Sequence, residues 1–341
     1  MGEKEDQMNA LVTGGGGFIG AALIKQLVKQ GYKAASFSRG DYPDLRRLGI
    51  EVINGNLTDQ ETIKMACAGK DIVFHVAAKA GVWGSYQEYY RPNVQGTQNV
   101  LNACLSQGVK YLIFTSSASV VFNGKNIEGA NEMLPYPSRS MSHYTATKAL
   151  AEQYVLKTNC SELKTLSLRP HLVWGPGDSH IIPGIIARAR SGKLQRIGKG
   201  NELIDTTYID NCVSAHLCAA EAIKQNPNAA GKAYFITNGE PIPVWDFING
   251  ILKSACLPAV ENSVSFRTAL IAAGFLELVY KAFAIKNEPY LTRFLVHELC
   301  TSHWFDISAA RKQLGYVPKI SFNNGLEQLA SWFCEQETGK I

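Results

Sequence analysis

Asn9-Ala-Leu-Val-Thr-Gly-Gly-Gly-Gly-Phe-Ile-Gly20 is an apolar run broken by four consecutive glycines and then resumed. Ala10 to Val12 reads as a buried strand, and Phe18 to Gln30 as a helix that stops at Gly31. Glycines at 14, 17 and 20 allow a tight turn, a close approach of backbone to a pyrophosphate, and close packing of helix on strand. The opening turn of the helix, with Phe18 and Ile19, offers free N–H groups and a positive dipole end to an anion. Because the glycines are consecutive, the loop fits both GxxGxxG (14, 17, 20) and GxGxxG (15, 17, 20). No lysine follows as it would in a triphosphate-binding loop, so the position between strand and helix points to a dinucleotide.

The same alternation continues outward. Lys33 to Ser38, Ile50 to Ile53, Asp71 to Val76, Tyr111 to Thr115 and Leu163 to Arg169 read as strands. Helices are expected from Asp59, over Asn93 to Gln107, and over Tyr144 to Lys157. Repeated strand–helix units imply an α/β fold, a doubly wound parallel sheet of the Rossmann type covered on both faces. Ligands in such sheets bind beyond the carboxyl ends of the strands. The residues after Val12, Ser38, Val76, Thr115 and Arg169 should therefore meet in one cleft. After Trp174-Gly-Pro-Gly177 the alternation loosens into a helix-rich region with one strand-like run, Ala233 to Thr237. The expected division is a dinucleotide-binding domain over 8–175, regained near 205–215 and 233–238. A smaller, helix-rich substrate or lid region covers 176–341.

At 341 residues, 46% hydrophobic and 18% charged, the chain is globular and can bury a large core. Its +5 charge is modest and its cations are scattered, which argues against nucleic acid as a partner. The eight cysteines form no CxxC pair and no metal-ligand spacing, so buried free thiols in a reducing cytoplasm are expected and no metal. The charged start, Met1 to Gln7, has no apolar stretch and reads as a short tail rather than a signal peptide. Phe266 to Ile285 has the length of a membrane span, but Arg267, Glu277 and Lys281 interrupt it. A buried or lid helix lining an apolar pocket is the first expectation. The second is an interfacial amphipathic helix touching a membrane or a partner enzyme.

The end of the second strand usually carries an acid that binds the ribose 2′-hydroxyl of NAD. Here it reads Phe37-Ser38-Arg39. Ser38 can hydrogen-bond a 2′-phosphate and Arg39 can pair with it bidentately, so NADP(H) is the expected cofactor. Tyr144 and Lys148 lie four apart and share one helix face. A nearby ammonium lowers a phenol's pKa toward a working range, and Lys148 can also hold the nicotinamide ribose. Thr115-Ser-Ser-Ala118, after the fifth strand, brings a hydroxyl to the same edge.

Together these motifs resemble the extended short-chain dehydrogenase/reductase family. The resemblance includes Gly55-Asn-Leu-Thr-Asp59, His75-Val-Ala-Ala78, Asn93-Val-Gln-Gly-Thr97, Arg169-Pro170, Tyr208-Ile-Asp-Asn211 and Leu314-Gly-Tyr-Val-Pro318. It implies a triad of Ser117, Tyr144 and Lys148. It also implies cofactor contacts at Gly14, Gly17, Phe18, Ile19, Gly20, Asn56, Leu57, Ala77, Ala78, Lys79, Thr115, Pro170, Leu172 and Val173, with Asn93 as a nearby support. A homodimer through the helix that begins at Tyr144 is common in this family.

Ala77-Ala-Lys-Ala-Gly-Val-Trp-Gly84, Trp174-Gly-Pro-Gly-Asp178 and Leu291-Thr-Arg-Phe294 are similar to the 3β-hydroxysteroid dehydrogenase branch, and to bacterial reductases of long-chain olefin biosynthesis. The latter resemblance implies NADPH-dependent reduction of a 2-alkyl-3-ketoalkanoic acid to the 3-hydroxy acid. A steroid or sterol dehydrogenase is the alternative, ahead of a sugar-nucleotide epimerase or dehydratase and a non-catalytic NADP(H) sensor. Substrate contacts are expected at Trp83, Tyr86 and Trp174 in an apolar lining. His143 and His171 are the candidates to sense a carboxylate.

Overall fold

The computed structural model describes residues 7–338, so the charged tail before Gln7 lies outside the described residues. Seven strands form the main sheet: β1 Asn9–Thr13, β2 Lys33–Ser38, β3 Glu51–Asn54, β4 Ile72–His75, β5 Tyr111–Thr115, β6 Lys164–Pro170 and β7 Ala233–Ile236. They lie in the order β7-β6-β5-β4-β1-β2-β3, and every pairing is parallel. The chain winds outward from β1 through β2 and β3, then returns to the other side of β1 for β4 onward. The switch between β1 and β4 opens the crevice where ligands bind in doubly wound sheets.

Strand residues alternate between two cores, because successive side chains leave opposite faces. Ala10 and Val12 pack with Leu23, Ile24 and Leu27 of helix α1 (Phe18–Lys29) on one face. Leu11 packs with Ile63, Val100 and Val155 on the other. That second layer is built by α2 (Gln60–Cys67), α3 (Gly96–Gln107) and α4 (His143–Lys157). The expected strands agree with these bounds to within one residue at most ends. The expected start of α3 differs: Arg91–Gln95 form a π-turn before it.

A smaller sheet stands over the carboxyl ends. It joins Ile242–Pro243, Leu203–Ile204, His303–Phe305 and Ile127–Ala130. The chain thus makes part of this sheet before it supplies β7.

The segment at 266 corrects one expectation. It is a helix, α5 (Phe266–Ala282), but it does not line the pocket. Ala269, Ala273 and Glu277 turn inward, where Ala269 and Ala273 pack on Val296 of α6 (Arg293–Leu299). The large side chains Ile271, Phe275 and Leu278 are 65–75% exposed. Small residues allow the two helices to approach, which leaves the bulky ones outside. Among the described residues no helix is long and apolar enough to cross a membrane. All eight cysteines are free, but only Cys67, Cys104 and Cys212 are buried; Cys256 and Cys334 are exposed.

Candidate active site

A cavity of about 1540 Å³ runs along the carboxyl ends of the strands. Every residue expected at the cofactor lines it, from Gly14 to Val173, and so does Ser117. At one end the glycine loop lines the cavity with bare backbone, packed too closely for side chains at 14 and 20. A Cβ at Gly14 would lie 2.8 Å from the Ala77 Cα, and one at Gly20 would overlap the Gly14 carbonyl. Gly14 also has φ +70°, which favours glycine. Gly15 and Gly16 serve packing instead: a Cβ at Gly15 would strike Ser36 and Ile24, and one at Gly16 the Tyr42 ring. The register facing the cavity is therefore 14, 17, 20. Such a bare backbone at a helix N-terminus fits a dinucleotide's pyrophosphate.

Beside the loop, the Ser38 hydroxyl accepts the Gly16 N–H at 3.2 Å. Arg39 is exposed at the cavity edge and makes no ion pair among the described residues. The nearby acid, Asp41, is taken by Arg46 at 2.9 Å. On the far side, Asn93 accepts the Lys79 N–H at 2.7 Å and donates to Thr147 Oγ1 at 3.1 Å. One amide thus ties the loop after β4 to α4. Lys79 itself pairs with Glu88 at 2.5 Å.

Helix α4 starts at Ser142, whose hydroxyl accepts the Thr145 N–H. Tyr144, Lys148 and Glu152 then recur every fourth residue. Glu152 has no exposed side-chain surface. It accepts the Arg169 guanidinium at 2.7 and 3.0 Å, Ser167 Oγ at 2.7 Å and Tyr136 OH at 2.7 Å. Burial alone would raise its pKa; Arg169, Ser167 and Tyr136 together hold it below the usual carboxylate value. This lock fixes the rotation of α4 on β6. Sequence reasoning passed over Glu152, although its spacing from Lys148 was a signal.

Lys148 is 2% exposed. Its Nζ donates to the Thr115 carbonyl at 2.5 Å and lies 4.0 Å from the centre of the Phe114 ring. Burial brings its pKa down to about 7, against a raising influence from Glu152. Burial also raises the Tyr144 pKa; a hydrogen bond with Ser117 lowers it and the charge of Glu298 raises it. In this arrangement the group that eases ionisation of the phenol is Ser117, because the Lys148 ammonium faces the strand carbonyl. Ser117 Oγ also lies 2.8 Å from Ser119 Oγ, whereas Ser116 Oγ is buried without a partner.

The expected substrate residues fare differently. Only His171 lines the cavity. Trp174 is fully buried, with its Nε1–H donated to Thr206 at 2.9 Å and its ring among Tyr208, Phe247 and Phe322. An indole whose one polar atom finds a partner can enter the core. Trp83 donates to the Ile285 carbonyl at 3.0 Å and meets Tyr280 edge-on, so it anchors the segment after α5. Tyr86 and His143, both exposed, pack against each other at the surface.

His171 has no free nitrogen. Its Nδ1 faces Asp205 Oδ1 at 2.8 Å and its Nε2 faces His303 Nδ1 at 3.1 Å. His303 must donate from Nε2 to the Glu298 carbonyl at 2.8 Å, and burial keeps it neutral with a pKa of about 3. Its Nδ1 is therefore an acceptor, and His171 spends its Nε2–H there. Leu172, next in the chain, turns through φ 43°, a strained value for a side-chain-bearing residue. Among the described residues no cluster of His, Cys, Asp or Glu could hold a metal ion.

Residues 11–266 match the model of the 3-beta hydroxysteroid dehydrogenase/isomerase family. Over 324 residues the chain is 44% identical to the 2-alkyl-3-oxoalkanoate reductase of Stenotrophomonas maltophilia (strain K279a), covering 94% of this chain and 98% of that one. It is 35% identical over 327 residues to the sterol-4-alpha-carboxylate 3-dehydrogenase, decarboxylating, of Mus musculus, with 94% and 90% covered. Among solved structures, UDP-glucuronic acid 4-epimerase from Bacillus cereus in complex with NAD is similar at a TM-score of 0.73 and 25% identity, over 96% of this chain and 99% of that one. The matched stretch holds the glycine loop and the Tyr144–Lys148 pair alike, and the chain belongs to the 3-beta hydroxysteroid dehydrogenase/isomerase family.

Proposed function

We propose that this oxidoreductase reduces the 3-keto group of a long-chain 2-alkyl-3-ketoalkanoic acid to the 3-hydroxy acid, with NADPH as reductant and Tyr144 as proton donor. The observation that carries the reading is a single cavity with the glycine cradle and Arg39 at one end and Ser117, Tyr144 and Lys148 on its wall. Its remaining lining includes Ile181, Ile185, Leu194, Val244, Phe247 and Phe294, which suits alkyl chains. The name of the Stenotrophomonas relative supports the same substrate class.

A reduced nicotinamide dinucleotide, when bound in the cradle, would supply the hydride for the ketone carbon. Gly14, Gly17 and the N-terminus of α1 would hold its pyrophosphate, and Asn56 and Leu57 its adenine side. Arg39, without an ion pair among the described residues and standing where an acid would favour NAD, would take a 2′-phosphate. Ala77, Ala78 and Lys79 would pass the ribose and pyrophosphate, and Pro170, Leu172 and Val173 would face the nicotinamide. Ser117 Oγ and Tyr144 Oη converge on the ketone oxygen. As negative charge develops there, both hydroxyls hydrogen-bond it, and Tyr144 gives up its proton to form the alcohol. Ser117 would ease the ionisation of Tyr144, and Lys148 would hold the nicotinamide ribose.

The mouse relative favours a second reading, a sterol dehydrogenase. The test is NADPH oxidation by the purified protein with a 2-alkyl-3-ketoalkanoic acid and with a 3-ketosteroid, repeated with NADH. The proposal requires turnover of the acid and a clear preference for NADPH. Turnover of the steroid alone sinks the substrate, and a preference for NADH sinks the cofactor.

For assembly, the reading includes a homodimer through the outer side of α4, which sedimentation equilibrium would report as a two-chain mass. It also lays the exposed stripe of α5, flanked by Lys281 and Lys286, on a lipid surface. Co-sedimentation with anionic vesicles should then be lost in Phe275→Asp; equal pelleting of both proteins would contradict it.

A further inference from the structure

Helix α6 carries one carboxyl group on its cavity face. Phe294, Leu295, Glu298 and Leu299 turn one face of this helix into the cavity. Three of the four are apolar; Glu298 is the exception. Among the described residues no protein group hydrogen-bonds its carboxyl; His303 engages its backbone carbonyl instead. It stands close enough to Tyr144 for its charge to raise the pKa of the phenol. Burial brings its own pKa up to about 7, with His171 acting in the opposite sense. An acid poised near neutrality in an apolar cleft marks a functional position more often than a structural one.

The titratable groups near Tyr144 are otherwise engaged, and Arg188, a cation in the same cavity, donates its Nε to the Tyr290 carbonyl. In a 3-keto acid the carboxyl carbon is two carbon–carbon bonds from the ketone carbon. Whatever reads the carboxyl must therefore stand on the same part of the wall as Ser117 and Tyr144. His171 stands there too, but Asp205 and His303 occupy both its nitrogens. His303 is likewise saturated. Lys148 is turned to the Thr115 carbonyl.

Resting on the 3-keto acid reading above, we infer that Glu298 in its protonated form reads the substrate's carboxylate, donating a hydrogen bond to it while Ser117 and Tyr144 hold the ketone oxygen. Glu298 is thus a specificity residue for the acid. It transfers no proton to product; one proton is shared between two carboxyl groups in a site of low polarity, where such a charge-assisted bond is strong. The ionised form would repel the same substrate. Acid substrates should therefore bind well below about pH 7 and progressively worse above it.

The groups that act on Glu298 are Tyr144 from α4 and His171 from the end of β6, with His303 on its backbone carbonyl and Asp205 behind His171. Lys148 titrates in the same range. The experiment must cancel that. It compares kcat/KM for a 2-alkyl-3-ketoalkanoic acid with kcat/KM for its methyl ester, across pH 6–9, in wild type, Glu298→Gln and Glu298→Ala. Thermal melts and NADPH titration establish that each variant is folded.

In wild type the acid-to-ester ratio should fall about tenfold per pH unit above 7. Glu298→Gln keeps a donor that does not titrate, so its ratio should be flat. Glu298→Ala should lower the ratio about 10- to 100-fold at pH 6, the worth of a hydrogen bond to a charged group. A wild-type ratio that is flat with pH, or unmoved in Glu298→Ala, overturns the inference while leaving acid reduction intact. Equal loss on acid and ester would make Glu298 a proton relay to Tyr144 and also overturn it. A selective fall in Arg188→Ala with none in Glu298→Ala would move the anchor to that cavity-lining cation. No turnover of the acid by wild type would remove both this inference and the function it rests on.

Discussion

Lys148 is an amine that the fold holds at a cost. Its pKa falls from 10.5 unfolded to about 7 in the folded chain. Between those values the unfolded state binds more protons, so stability rises with pH across that window and the penalty is fully present below about pH 7. Lys148→Met should therefore raise the melting temperature, by about 2 kcal/mol of stability at pH 6, and lose that advantage near pH 10. Thermal melts of both proteins at the two pH values check it; equal shifts would contradict it. Tyr144→Phe should lower kcat about 10²- to 10⁴-fold while NADPH fluorescence titration stays near wild type. Near-normal turnover would refute its role. Tyr144 and Lys148 were legible in the sequence because a helix fixes what lies four residues apart. Glu298 was not, because its place beside Tyr144 depends on chain more than 150 residues distant.

Elements were legible where a periodic pattern and a local terminator agreed. The strand, glycine turn and α1 gave their bounds almost directly, since glycine at 14 and 20 is a matter of space and backbone. Gly20→Ala should abolish NADPH binding in a fluorescence titration, because its methyl group would displace the Gly14 carbonyl from the cradle. Retained affinity would mean that the loop has another course. Patterns misled where two surfaces compete for one helix. The apolar richness of α5 read as pocket lining, but the small residues among the large ones set which face goes in. Trp174 misled for a related reason: Thr206, which satisfies the indole, belongs to a distant loop.

At the scale of the whole molecule, the chain interleaves its two largest sheets. Leu203–Ile204 of the small sheet precedes β7 of the large one, and His303–Phe305 follows it. A fragment of residues 7–175 would hold the glycine loop, Ser117, Tyr144 and Lys148 but lack β7 and α6. It should show no cooperative melt by circular dichroism, and a sharp one would contradict this. The expected boundary at 175 and the return near 233–238 both came from sequence rhythm; the partner of the returning strand, β6, is what rhythm alone does not express. Synthesis on a ribosome runs the same constraint forward in time. Until residues 233–236 emerge, β6 offers an open edge carrying Leu166 and Leu168, the kind of edge that pairs with a neighbouring chain. A pause in translation between 170 and 233 would lengthen that exposure, so codon usage in this interval bears on yield without changing one residue of the finished protein.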